Sequence, residues 1–260
     1  MLAPLIYGLI VGISLGLTGG GGSIFAVPLL IYGLGLPMGT AAGLSLAAVG
    51  LTAGFGAGLR HRELEWRAGL IFAAAGMALA PAGTALGRML SPALVLSAFA
   101  LLMVFVGWRM WRGQSGDALD TGPCVARGDG KLQPGCYARL VGAGAAAGVL
   151  SGLFGVGGGF IIVPALVFVT GMAIHRAVAT SLLVISLIAI SGVTAHLLHG
   201  AHFPPLLSAL FVVGGFAGMF AGSGLRTRLS PPLLRRVFAA GMWIVGGYML
   251  WRNLPGLFQL

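Results

Sequence analysis

Gly16-Leu17-Thr18-Gly19-Gly20-Gly21-Gly22-Ser23-Ile24-Phe25-Ala26-Val27-Pro28 decides the fold, and it returns later in the chain as Gly152-Leu153-Phe154-Gly155-Val156-Gly157-Gly158-Gly159-Phe160-Ile161-Ile162-Val163-Pro164. Both copies lie in long windows without Asp, Glu, Lys or Arg: 1–59 holds the first, 140–175 the second, and 177–225 is a third such window. Glycine runs and proline interrupt helices. An interruption at membrane depth exposes N–H and C=O groups that hydrocarbon cannot satisfy, so it survives only where it packs on protein or lines a cavity.

Composition sets that context. Apolar residues make up 58% of the 260 and charged ones 8%, against roughly 45 to 50% and about 25% in soluble domains. The chain reads as an integral membrane protein. Alternating polar and apolar strands are absent, so the spans are expected to be α-helical. Met1-Leu2-Ala3-Pro4 lacks the basic stretch that opens a signal peptide, so residue 1 onward is expected in the mature fold. The formal charge of +10 sits in short connectors, where it reads as orientation signal and lipid-headgroup contact rather than as a nucleic-acid surface.

Uncharged or nearly uncharged segments run at about 4–34, 37–59, 68–87, 92–108, 140–172, 177–198, 203–225 and 231–251, two sets of four. Aligning Pro28 with Pro164 also aligns Ser45-Leu46 with Ser181-Leu182, and with small insertions Leu90-Ser91-Pro92 falls on Leu229-Ser230-Pro231. The chain is an internal duplication: a first membrane repeat at 1–112, a cytoplasmic linker at 113–138 and a second membrane repeat at 139–260. Ser-Pro suits the start of the last helix in each repeat, serine as N-cap and proline at the first helical position.

The first segment of each half is long for one span and short for two. If it crossed once, the basic residues would divide almost evenly between the two faces. If it enters and returns as a hairpin, only Arg88 and Arg252 fall on one side, and the rest of the fifteen basic residues share the other. The positive-inside rule makes that face cytoplasmic. The expectation is an all-α polytopic membrane protein of two inverted repeats, each a glycine-broken re-entrant hairpin followed by three transmembrane helices. Both termini are then periplasmic.

Broken helices in inverted repeats build the midplane sites of many secondary transporters. Here the return arms are expected to start at Ser23-Ile24 and Phe160-Ile161, with their N–H groups and positive dipole ends facing the bilayer centre, an environment that suits an anion. Gly19, Gly20, Gly21, Gly22 and Ser23, with Gly155, Gly157, Gly158 and Gly159, are the candidate substrate-binding backbone. Pro28 and Pro164 shape the hairpins. The structural alternative is that these glycines only let helices pack closely. Ser45, Thr180 and Ser181 follow on the next helices as candidate hydroxyl donors, with Thr52 and Ser186 nearby. Each can instead bond the preceding helical turn. Arg176 is a candidate gate or anion-attracting group, or else a headgroup anchor.

Glu63, Glu65, Asp117, Asp120 and Asp129 all lie in connectors, so neither a carboxylate proton relay nor a cationic substrate is indicated. His61, His175, His196, His199 and His202 fall at segment ends and read as polar caps rather than metal ligands. Cys124 and Cys136 share the linker, where a reducing cytoplasm disfavours a disulfide. No phosphate-binding loop or activated nucleophile is present. No cofactor or metal is called for, and the chain does not read as an enzyme.

The paired Gly-Leu-x-Gly-x-Gly-Gly-Gly and Val-Pro motifs, each followed by an Ala-x-x-Ser/Thr-Ser-Leu-like stretch at 41–46 and 177–182, resemble the sulfite exporter TauE/SafE family of bacterial permeases. The resemblance covers nearly the whole chain. It departs where Gly20 becomes Val156 and where Gly43-Leu44 stands opposite Ala179-Thr180. It implies a bacterial inner-membrane carrier exporting a small sulfur-containing anion such as sulfite, sulfoacetate or another organosulfonate. Its partners would be that anion and membrane lipid, with a homodimer as an option and no nucleic acid. A passive anion channel, or a scaffold or maturation factor whose glycines only pack helices, are the other readings.

Overall fold

The computed structural model describes residues 2–112, 134–198, 204–225 and 231–257, and among them every regular element is helical. The first half opens with α1 (Ala3–Thr18). A return arm follows, made of a 3-10 turn (Gly21–Phe25), the single turn α2 (Ala26–Pro28) and a π-helical turn (Leu29–Gly33). Then come α3 (Met38–Leu59), α4 (Trp66–Met89) and α5 (Pro92–Trp111). The second half repeats the order with α6 (Pro134–Phe154), a regular return helix α7 (Gly159–Thr170), α8 (Ile174–Leu198), α9 (Pro205–Leu225) and α10 (Pro231–Leu257). Proline occupies the first position of both α5 and α10. The Ser91 hydroxyl accepts the Leu94 N–H at 3.4 Å as the N-cap, while Ser230 lies outside the described residues.

Each first segment is a hairpin with unequal arms. A Cβ on Gly22 would fall 2.3 Å from the Leu15 nitrogen, and one on Gly33 2.6 Å from the Tyr7 ring, so the return arm retraces α1 in reverse. The ingoing arms have 16 and 21 residues, about 24 and 32 Å of helix against a hydrocarbon core of about 30 Å. Both arms are longer than half of that thickness, and glycine lets them lie directly on a neighbour.

That neighbour comes from the other half. Cβ atoms at Gly8, Gly12 and Gly16 of α1 would fall 2.1, 2.1 and 2.6 Å from the carbonyl oxygens of Phe211, Gly215 and Met219 on α9. Cβ atoms at Gly144, Gly148 and Gly152 of α6 would fall 2.3, 2.2 and 2.1 Å from those of Phe72, Gly76 and Ala80 on α4. The backbones are therefore in direct contact, a close approach that favours dispersion and Cα–H···O contacts. In both pairs the residue numbers rise together, so the helices run parallel. Each half lends its first helix to the other.

The central pair behaves differently. Gly192 of α8 meets Leu46 of α3, Gly50 meets Ala189, Gly54 meets Ser186 and Gly56 meets Leu182. As one number rises the other falls, so α3 and α8, equivalent helices of the two halves, pack antiparallel. The pair α5 and α10 does the same: Gly107 meets Trp243 and Gly246 meets Ala100, with the Trp243 indole donating to the Val104 carbonyl at 3.2 Å.

Proline inside α4 illustrates how backbone groups are satisfied away from water. Pro81 cannot donate to the carbonyl of Met77. Ser191 of α8 supplies the missing hydrogen, its hydroxyl donating to Met77 O at 2.7 Å. One difference from expectation falls at the start of α6: Cys136, 3% exposed, is disulfide-bonded rather than a free thiol. Disulfides persist in oxidising compartments, and the assignment of the linker to a reducing cytoplasm disfavours one. Cys124 and positions 113–133 of the linker lie outside the described residues.

Candidate functional site at the hairpin tips

The two interruptions are built differently. In the first, α1 closes on Gly19 at φ +74°, whose N–H bonds Leu15 O at 2.7 Å, and Gly20 is extended at φ 177°. In the second, Gly155, Gly157 and Gly158 all take positive φ, at +69°, +69° and +67°. Side chains disfavour that region, so three such turns within four residues require glycine. Val156, where the first copy has Gly20, keeps negative φ and is buried among Phe154, Phe160 and Phe99.

The tips meet. A Cβ on Gly20 would lie 2.5 Å from the carbonyl oxygen of Gly159, and one on Gly159 would lie 2.6 Å from the Gly20 Cα. Gly157 packs on Val49 of α3 and Ile185 of α8 and comes within reach of Ser23. Behind the tips, Gly19 rests on Val178 of α8 and Gly155 on Ala42 of α3, again equivalent positions. Helices α5 and α10 cover this region through Val95, Phe99, Met103 and Met242, packed with Ile24, Val27 and Phe160. Of the candidate residues, Gly19, Gly20, Gly22 and Ser23 of the first tip and Gly155, Gly157, Gly158 and Gly159 of the second are thus brought into the interior.

The hydroxyls divide into two groups. Ser181 donates to Gly19 O at 2.8 Å and also lies 2.8 Å from Val178 O, while Ser23 donates to Gly20 O at 2.8 Å. Thr52 bonds its own preceding turn at Ala48 O. Thr180 is turned away from the tips: its hydroxyl accepts the Glu65 N–H at 3.0 Å, ahead of α4. Ser45 and Ser151 are fully buried, and their hydroxyls have no hydrogen-bond partner. Arg176 is paired with the Glu65 carboxylate, both side chains remaining well exposed, so its charge is already compensated at the end of the bundle. Pro164 lies inside α7, and Pro28 closes α2.

Two contributors escape a reading of the sequence. Arg60, which reads as an orientation charge, donates to Gly16 O at 3.4 Å and so sits at the carbonyl end of α1, where a cation is favoured. Ser151 stands where the first copy has Leu15, and a search for repeated features passes over it. His196 is buried with Nδ1 2.9 Å from Gly192 O, as a polar cap within its own helix. His199 and His202 lie outside the described residues. Among the described residues no cluster of three His, Cys, Asp or Glu side chains is placed to hold a metal ion. Chemically, the tips offer amide and hydroxyl donors in a low-dielectric interior, with Arg60 at the end of α1 as the neighbouring cation and no carboxylate among the described residues beside them.

The family model for the sulfite exporter TauE/SafE matches residues 5–249. The chain belongs to the sulfite exporter TauE/SafE family. Relatives of this TauE/SafE protein include a probable membrane transporter protein of Xylella fastidiosa (strain Temecula1), 36% identical over 95% of this chain and 94% of the relative. The probable membrane transporter protein YdhB of Bacillus subtilis is 30% identical over 86% of this chain and 89% of its own. One from Haemophilus influenzae is 31% identical over 77% and 75%. No solved structure matches. With five helices among the described residues long and apolar enough to cross a membrane, this TauE/SafE member is a multi-pass membrane transporter.

Proposed function

We propose that the chain is an inner-membrane secondary transporter that exports a small sulfur-containing anion, sulfite or an organosulfonate such as sulfoacetate, bound between the hairpin tips. The observation that carries this reading is the meeting of Gly20 and Gly159, with positive-φ glycines on both sides, at the junction of the two halves. Amides exposed by such turns form anion-binding concavities, and the absence of carboxylates around them among the described residues disfavours a metal cation. The family description names sulfite. Because the tips touch, the anion enters only when they part, and alternating access follows if they part first toward one face and then toward the other.

The antiparallel packing of α3 on α8 supports an inverted arrangement of the halves in the membrane. With both termini outside, all basic residues but Arg88 and Arg252 lie on the cytoplasmic face. The disulfide at Cys136 favours the opposite orientation. We adopt the charge bias because it rests on many residues. Labelling of Cys124 and Cys136 from the periplasmic side of sealed cells, after mild reduction, would reverse the assignment.

Reconstituted vesicles test the activity. Efflux of sulfite, methanesulfonate and sulfoacetate should saturate and show counterflow, as a carrier's does and an open channel's does not. Gly158→Leu places a side chain at φ +67°; it should abolish flux while the protein still inserts and purifies as a single species. Undiminished flux in that variant would remove the tips from the pathway.

A further inference from the structure

The two halves match closely in backbone packing but not in where their buried hydroxyls point. Ser45 and Ser181 are equivalent, as are Gly155 and Gly19 against which their helices rest. Ser181 donates to Gly19 O. Its counterpart Ser45, equally buried, makes no such bond to Gly155. It lies on α3 between Ala42 and Val49, the residues that touch Gly155 and Gly157, and one face of a helix carries all three.

Ser151, 1% exposed, is the second buried hydroxyl without a partner at this tip, and its Cβ lies 3.4 Å from where a Gly158 Cβ would stand. The backbone N–H groups of the same tip add donors. Ile161 and Ile162 donate to Gly158 O, but no hydrogen bond among the described residues takes up the amides of Gly157 to Phe160, which are all buried at the start of the 12-residue helix α7. Ser97, likewise without a partner, is on α5. The first tip differs in its hydroxyls and its return arm: Ser23 and Ser181 both donate to its own carbonyls, and the arm starts as a short 3-10 turn.

We infer that the anion is held by one tip only: Ser45 and Ser151 donate their hydroxyl hydrogens to it alongside the amides of Gly157 to Phe160, while Ser181 positions the first tip and does not touch the ligand. A buried hydroxyl without a partner is costly to the empty protein. Amides and two hydroxyls gathered at one tip match the several acceptor lone pairs of a sulfur oxyanion. Opening the Gly20 contact exposes this donor set from the side of the first tip, which then acts as the moving cover. The inference rests on the anion reading proposed above and adds to it which residues bind.

Isothermal titration of the full-length protein in detergent, with methanesulfonate and with sulfite, separates the two serine classes. Ser45→Ala and Ser151→Ala should each weaken binding about tenfold and leave the thermal midpoint of the ligand-free protein unchanged or raised. Ser181→Ala should lower that midpoint by a few degrees and keep the dissociation constant within about twofold. Ser151→Cys serves as a near-isosteric companion. An equal loss of affinity in Ser181→Ala, or unchanged affinity in both Ser45→Ala and Ser151→Ala, overturns the one-tip assignment. If the unaltered protein binds neither anion, the parent reading falls and this one with it.

Discussion

A single hydroxyl shows how this fold handles polar backbone in a solvent that offers no hydrogen bonds. Pro81 frees the Met77 carbonyl and Ser191 occupies it. Ser191→Ala should destabilise the protein by about 1 kcal/mol, the usual scale for an interhelical hydrogen bond in a membrane, read as a lower thermal midpoint in detergent. Pro81→Ala restores a donor within α4, so combining it with Ser191→Ala should recover most of that loss. Additive losses would show that the hydroxyl is not what completes Met77. None of this is legible in the sequence: Ser191 and Pro81 are 110 positions apart, and periodicity names a helix face but not the carbonyl it meets. The tip glycines are legible, because a glycine run between apolar stretches has few other uses. The division of serines into bonded and unbonded is not, since it depends on sub-ångström placement.

Among the helices, the decisive contacts are the glycine rows of α1 on α9 and α6 on α4. Gly148→Ala puts a Cβ 2.2 Å from Gly76 O, backbone against backbone, so α4 and α6 must separate. The expected cost is about 3 kcal/mol or more, by analogy with overpacked cores, seen as a large drop in midpoint or in recovered protein. Gly142, on the same helix, meets nothing within 4 Å; Gly142→Ala should be neutral or stabilising by up to about 1 kcal/mol. Similar behaviour of the two variants would refute the close approach. Charge-free windows and the repeat alignment locate eight of these helices and both return arms. They do not reveal that α1 packs with α9 rather than with its own half, because the four-residue glycine spacing marks a contact surface without naming its partner. The ingoing arms are longer than expected for the same reason: glycine rows hold them against α9 and α4 along their length.

At the level of the whole molecule, the two halves are tied through α3 and α8. The Cβ built on Gly54 lies 3.6 Å from the Ser186 Cβ, within the range that a disulfide spans. Gly54→Cys with Ser186→Cys, in a background with Cys124 and Cys136 replaced by serine, should cross-link within one chain on oxidation. If the halves rock across this interface, the oxidised protein should lose transport and a reductant should restore it. Failure to cross-link would contradict the antiparallel packing. Cross-linking without loss of flux would assign the motion to the tips alone.

Among the described residues no carboxylate stands at the tips, and the one cation placed beside them, Arg60, is held on the Gly16 carbonyl at the end of α1, an arrangement with an electrical meaning. If Arg60 stays on that carbonyl through the cycle, such a carrier moves no charge of its own through the membrane field and leaves the voltage to act on the cargo. An anion leaving a cell whose interior is negative gains about 2.3 kcal/mol per elementary charge for each 100 mV. On the proposed reading the resting potential alone therefore gives the outward step its direction, without a coupling ion, and the glycines need only open the way.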